Sequence, residues 1–184
     1  LISGQWAGTM CLSEGQAGSD LSSLTTRAEP KGDRYLITGQ KIYITWGDHP
    51  MAENIIHLVL ARLPDAPAGT KGISLFVVPK YKLNADGTPG EFNDVFPVSV
   101  EHKMGIHASP TCVLAFGDNG GAEGFLVGKP NEGLAAMFTM MNYMRLGVGV
   151  QGVCLADRSY RQSVTFSRER IQGRAPGEKG RVAI

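Results

Sequence analysis

Three kinds of residue pattern are scarce or missing in this chain of 184 residues, and each absence excludes a class of function. Cysteine comes first. Cys11, Cys112 and Cys154 are odd in number and widely spaced. With no CxxC pair, neither a disulfide framework nor a structural zinc site is expected. A reducing, cytoplasmic setting is the simplest one. Histidine is second, with only four residues. No His-Glu-X-X-His or other ligand cluster occurs, so no metal is expected, and His102 and His107 read as loop residues around Lys103-Met104-Gly105-Ile106. Net charge is third. The 18 basic and 17 acidic residues nearly cancel, leaving a formal charge of +1. No field attracts nucleic acid or an anionic membrane, so any anionic ligand must be held by local groups. No apolar run reaches membrane-spanning length, and no signal-peptide pattern opens the sequence. No GxGxxG follows a strand, so nothing supports a Rossmann site. Nor does any motif support a lectin-like domain.

What is present is enough apolar material, 42% of residues, for the core of one domain or of one domain with an appended element. The pattern is β up to about Pro130. Tyr35 to Thr45 reads as two strands about a Thr38-Gly39 turn. Asn54 to Arg62, Gly72 to Pro79, Thr111 to Phe116 and Ala122 to Val127 read as further strands. Turn residues separate them at Pro64-Asp65-Ala66-Pro67, Asp86-Gly87 and Asp118-Asn119-Gly120-Gly121. Short strands at this spacing predict a barrel or sandwich.

From Gly133 to about Arg170 proline is absent, and Ala, Leu, Met and Arg are frequent. Leu134, Met137, Phe138, Met141 and Arg145 share one helical face, and other faces are apolar too. Such a helix calls for burial on several sides, which the β domain alone cannot supply, so the covering partner is expected in the rest of the protein or in another subunit. Gly147, Gly149 and Gly152 cost roughly 1 kcal/mol each in an exposed helix, so close approach of a partner is expected there. Arg145 in this setting is expected to be buried and paired.

The most telling segment is Leu12-Ser13-Glu14-Gly15-Gln16-Ala17-Gly18-Ser19-Asp20, with Tyr43-Ile44-Thr45 further on. Gly18 permits a tight bend or close backbone approach. Ser13 and Ser19 supply hydroxyls that donate and accept. Tyr43 and Thr45 lie two apart, so in a strand they share a face. Taken singly, the first segment is also an ordinary polar turn and the second an ordinary strand. Together they line one flat ligand with a polar edge.

The pair resembles the flavin-contacting signature of the acyl-CoA dehydrogenase family, which runs roughly Thr-Glu-Pro-X-Ala-Gly-Ser-Asp and then aromatic-Ile-Thr. Gly15 stands where the family usually has Pro. Lys103 to Thr111 resembles the family's Lys-Met-Gly-X-X-X-Ser-X-Thr strand entry, and nearly the whole chain follows the family's order. Ile106 to Cys112, Asn131 to Phe138 and the Arg170-Ile171-Gln172-Gly173-Arg174 end look most like a larger bacterial branch that includes 3-methylmercaptopropionyl-CoA dehydrogenases.

The resemblance implies a mainly β fold: a middle-domain β-barrel or orthogonal sandwich over residues 1–130, then a long helix over 131–173 that begins a C-terminal helical domain. Residues 174–184 would form a tail. The chain is accordingly read as a fragment of an α+β three-domain enzyme, inactive alone because the family's catalytic Glu lies outside it. It implies an FAD site made by Met10, Leu12, Ser13, Gly18, Ser19, Tyr43, Ile44 and Thr45, with Arg170 reaching the flavin pyrophosphate of a neighbouring subunit. It places Ser19, Ser109, Asn142 and Arg145 against an acyl-CoA substrate; Asn142 stands where the family has Asp. An electron-transfer flavoprotein and a homo-oligomer are the implied partners. The rival readings are a flavin-binding paralogue of the DNA-damage-associated branch without dehydrogenase activity, and a purely structural β domain.

Overall fold

The computed structural model describes residues 1–174, 176, 177, 179 and 180; most of the expected tail therefore lies outside the described residues. Among the described residues ten strands and one short 3-10 helix (Gly69–Gly72, between β4 and β5) precede one α-helix: β1 (Trp6–Cys11), β2 (Arg27–Lys31), β3 (Arg34–Thr45), β4 (Asn54–Arg62), β5 (Ile73–Pro79), β6 (Tyr81–Leu83), β7 (Pro89–Phe92), β8 (Val95–Val100), β9 (Thr111–Phe116), β10 (Ala122–Val127) and α1 (Gly133–Glu169). Contacts separate one unit, Leu1–Phe138, from a second that starts at Thr139.

The first unit is a barrel. The chain of pairings runs β4–β5–β10–β3, and β2 pairs with both β3 and β4, which closes the ring. β1 extends the sheet beyond β4 through a parallel pairing, and β9 and β8 extend it beyond β3. Closure leaves few free edges. Cys11, Ile37, Ile44, Val59, Phe76, Val78, Leu114 and Phe116 fill the interior. The β-branched run of β4 fits this place, because seven of its nine residues are buried and only Leu58 and Arg62 are half-buried.

β3 corrects the two-strand reading of Tyr35 to Thr45. It is one strand of 12 residues. Its first part pairs with β2 and β10, and from Gly39 onward it pairs with β9. Thr38-Gly39 is thus a corner at which the strand changes partners, not a turn. A Cβ on Gly39 would stand 2.6 Å from Thr26 Oγ1, and its φ is +151°. Glycine serves here because a second strand crosses at backbone distance.

Arg62, at the end of β4, braces two loops. Its Nε donates to Leu24 O (2.8 Å), Nη1 to Pro67 O (3.1 Å), and Nη2 to Ser22 O and Gly69 O (both 2.7 Å). Arg62→Met is expected to destabilise the fold by about 2 kcal/mol, since hydrogen bonds from charged donors are lost and only some of the freed carbonyls regain water. A shift in the urea midpoint at unchanged slope checks this; an unchanged midpoint rejects it.

The second unit, from Thr139, continues α1 as a long exposed helix. An Arg161–Asp157 ion pair (2.9 Å) and back-bonded hydroxyls of Ser163, Thr165 and Ser167 decorate it. Among the described residues Leu146, Val148, Val153 and Leu155 are exposed, as expected of a helix whose cover lies outside these residues. An added Cβ at Gly147, Gly149 or Gly152 meets nothing within 4 Å, so no described atom approaches there either.

Candidate functional site

The loop after β1 and the far end of β3 meet. The Ile42 N–H donates to Ser13 O (2.9 Å). Within the loop, Glu14 and Ala17 exchange backbone hydrogen bonds (2.8 and 3.1 Å). That tightens residues 14–17 and leaves Gly18 and Ser19 exposed beyond them. Met10, Leu12 and Ser13 are half-buried along the same edge.

A bulge decides what β3 presents. Residues 37 and 41 point inward in the ordinary alternation of a strand. Continued unbroken, that alternation would also bury residues 43 and 45. The register with β9 instead shifts between Lys41 and Ile44. Tyr43 takes a left-handed φ of +59°, and Ile44 becomes the inward residue. Tyr43 and Thr45 both emerge exposed, flanking buried Ile44. A bulge re-aims side chains in this way at the cost of one irregular ladder step.

A third segment joins them. Thr45 pairs with Thr111, and the Trp46 N–H donates to Pro110 O (2.7 Å). Ser109 is therefore next to the end of β3; its carbonyl accepts from Lys103 Nζ (2.6 Å), and its N–H donates to Ile106 O (3.2 Å). Loop 12–19, residues 43–46 and residues 109–111 thus form one neighbourhood. The hydroxyls of Ser13, Ser19 and Thr45 make no hydrogen bond among the described residues.

Beneath this surface lies a network that sequence reasoning missed. The Lys41 side chain is 0% exposed and that of Glu14 is 3% exposed, and they form an ion pair of 2.8 Å. Lys41 Nζ also donates to Leu12 O (3.0 Å). Glu14 Oε1 accepts from the N–H (3.0 Å) and hydroxyl (2.5 Å) of Thr26. Its Oε2 accepts from the N–H and hydroxyl of Thr25 (both 2.8 Å) and from Gln16 Nε2 (2.6 Å). Burial alone would raise the Glu14 pKa, but the Lys41 charge and these donors outweigh it and hold the carboxyl down at about 2. Burial works against the Lys41 charge, and the adjacent carboxylate opposes that effect. A carboxylate so fully engaged is no proton acceptor for chemistry. The signal was present in the sequence: Lys41 sits two and four residues after Gly39 and Ile37, at an inward-facing position of the strand.

The remaining expected residues lie in the second unit. Asn142 and Arg145 are exposed, and Arg145 Nη1 donates to Asn142 Oδ1 (3.1 Å). The partner expected for Arg145 is placed in a part of the protein outside these residues, and its exposure here leaves that expectation open. Arg170 follows the last residue of α1, exposed; its N–H donates to Phe166 O (2.8 Å) and its Nε to Gln172 Oε1 (3.3 Å).

Comparison with known proteins identifies the family and the fold. Residues 9–119 match the family model described as acyl-CoA dehydrogenase, middle domain. The chain is 53% identical over 175 residues to a 3-methylmercaptopropionyl-CoA dehydrogenase of Ruegeria pomeroyi, covering 95% of this chain and 29% of that protein. It is 42% identical over 181 residues to a butyryl-CoA dehydrogenase of Syntrophomonas wolfei, covering 95% of this chain and 30% of that protein. The crystal structure of an acyl-CoA dehydrogenase from Geobacillus kaustophilus superposes with a TM-score of 0.73 at 26% identity, covering 93% of this chain and 42% of that one. The chain thus spans less than a third of the length of these two relatives. The closed barrel, the long helix and the match over residues 9–119 together place this chain in the acyl-CoA dehydrogenase family.

Proposed function

We propose that the protein carrying this chain is an FAD-dependent acyl-CoA dehydrogenase, with 3-methylmercaptopropionyl-CoA as its substrate. The observation that carries this is the meeting of loop 12–19 with the re-aimed end of β3. Three hydroxyls without partners among the described residues and an exposed Tyr43 ring lie in that neighbourhood. This donor set fits a flavin: hydroxyls for the polar edge and the pyrophosphate, an aromatic face for the ring, and Gly18 with no atom within 4 Å of an added Cβ. When bound, FAD supplies the acceptor for the β hydride during α,β-dehydrogenation of the thioester.

Met10, Leu12 and Ser13 would border the ring and Gly18 and Ser19 the pyrophosphate; Ile44, whose side chain is buried in the barrel, would reach the ring only through its backbone. Thr45 would orient and polarise the ring edge while Tyr43 shields it from water. Ser19, Ser109, Asn142 and Arg145 would hold the acyl-CoA, and Arg170 the pyrophosphate in a neighbouring subunit of a homo-oligomer. A carboxylate would take the α proton, and Glu14, held by Lys41 and its hydrogen bonds, does not fit that role. Residues 1–130 act as the middle domain, and 131–173 begin a helical domain. An electron-transfer flavoprotein would be the partner that takes electrons from the bound flavin, in the cytoplasm. Both relatives named above are dehydrogenases, which supports this reading over the non-dehydrogenase paralogue.

The test is an anaerobic titration of the whole gene product with 3-methylmercaptopropionyl-CoA, then butyryl-CoA and palmitoyl-CoA, followed by flavin absorbance. Bleaching by the first at the lowest concentration supports the proposal. A bound flavin that none of them reduces rejects dehydrogenation, and a protein that binds no flavin rejects the site.

A further inference from the structure

The buried pair Lys41–Glu14 is not needed to fill the barrel. Apolar residues occupy the neighbouring inward positions Ile37 and Ile44. Replacing a buried ion pair by packed apolar side chains is often neutral or stabilising, so such a pair is weak evidence of a role in stability. Its position offers another role. Lys41 is the last residue before the register shift that turns Tyr43 and Thr45 outward. Its Nζ holds the carbonyl of Leu12, immediately before Ser13, and its partner Glu14 immediately follows Ser13. Glu14 in turn is tied to Thr25 and Thr26, just before β2, a strand of the closed ring.

From this juxtaposition we infer that Lys41 and Glu14 are the positioning residues of the flavin edge: one ion pair, anchored to the barrel wall, fixes Ser13 relative to Tyr43 and Thr45. The inference rests on the flavin reading of the site. The pair touches the proposed ligand through no atom of its own. Being neutral as a unit, it acts by geometry and not by adding charge beneath the ring. The backbone bond from Ile42 N–H to Ser13 O alone is a single pivot. With Lys41 on Leu12 O and on Glu14, the loop is held at three points along the strand and cannot rotate about that pivot.

The test uses the whole gene product and three variants: Lys41→Met, Glu14→Gln and the two together. Lys41→Met alone leaves a buried carboxylate without its cation and is expected to lower stability strongly. The double variant removes both charges and is expected to recover most of that loss. Its FAD dissociation constant is nevertheless expected to rise about ten-fold or more, and the visible bands of its bound flavin to shift, because the hydroxyls no longer converge on the ring edge. A merely structural pair would leave both readouts unchanged in a folded variant. A folded double variant with wild-type FAD affinity and spectrum overturns the inference while leaving the flavin site standing. A wild-type protein that binds no FAD overturns both. If the double variant does not fold, Glu14→Gln, which keeps the side chain's shape, is read against the same two outcomes.

Discussion

Gly133→Ala is expected to destabilise the barrel by about 3 kcal/mol or more, among the largest effects of any single methyl group in the protein. Gly133 opens α1 and is buried against β5. A Cβ there would stand 2.3 Å from Leu75 N and 2.3 Å from Ser74 C. Both are backbone atoms of a central strand, so no side-chain rotation relieves the clash. Either β5 or the start of the helix must move. The same contact region holds the Asn131 N–H on Ser74 Oγ (2.8 Å) and buries Met137 completely, so displacement there also breaks a hydrogen bond and exposes an apolar side chain. Gly147→Ala is the matched control. It lies in the same helix with nothing within 4 Å of the added Cβ. Removing backbone freedom from the unfolded chain should make it more stable by roughly 0.5–1 kcal/mol. Denaturant midpoints for the pair check the argument. Equal midpoints for Gly133→Ala and wild type would refute the close approach of the helix to β5.

The second large effect is one of pH. His57 on β4 is 1% exposed. Its Nδ1 shares a hydrogen bond with Thr9 Oγ1 (2.8 Å), and its ring stands edge-on to Phe116. Burial pushes its pKa from 6.5 down to about 3; the charge of Asp48 opposes this and that of Lys80 adds to it. In the fold the imidazole is neutral, whereas in the unfolded chain it binds a proton below about pH 6.5. The unfolded state therefore holds more protons throughout the window from 6.5 to 3. Stability falls as pH falls through that window, at about 1.4 kcal/mol per pH unit. Between pH 6.5 and 4.5 the loss from His57 alone is about 2 kcal/mol. His57→Asn keeps a polar atom for Thr9 without titrating, so its stability is expected to stay nearly flat over that interval. Urea unfolding at half-unit pH steps measures both slopes, and parallel curves for the two proteins would refute the assignment. Glu14 governs the more acid range. Its folded pKa of about 2 lies below its ordinary 4.5, so its contribution is complete above about pH 4.5 and is lost between there and about pH 2.

The chemical groups of the proposed site are legible in the sequence. Ser13, Ser19, Tyr43 and Thr45 stand out because their two short segments together resemble the family's flavin signature, and hydroxyls, a bend and an aromatic face suit a ligand edge. The strands β4, β5, β9 and β10 were legible because β-branched runs end at turn residues. The helix was legible because proline is absent from Gly133 to Glu169. Local sequence carries these features, since each depends on neighbours a few positions away.

Other features depend on partners far along the chain, and only the tertiary structure decided them. β2, with Pro30 and three charged residues, carries no strand pattern, and it is a strand because β3 pairs with all of it. Thr38-Gly39 looks like a turn in sequence, yet the crossing of Thr26 makes it a corner in one strand. The alternation of β3 turns Lys41 inward, but that Glu14 is its partner is decided only where the loop after β1 meets the strand. The exposure of Tyr43 and Thr45 on one side follows from a bulge whose register is set by β9. The sequence by itself determined which chemical groups this protein carries and the family they belong to. The closure of the barrel determined which of those groups face one another, because long-range pairing, not local propensity, fixes register and burial.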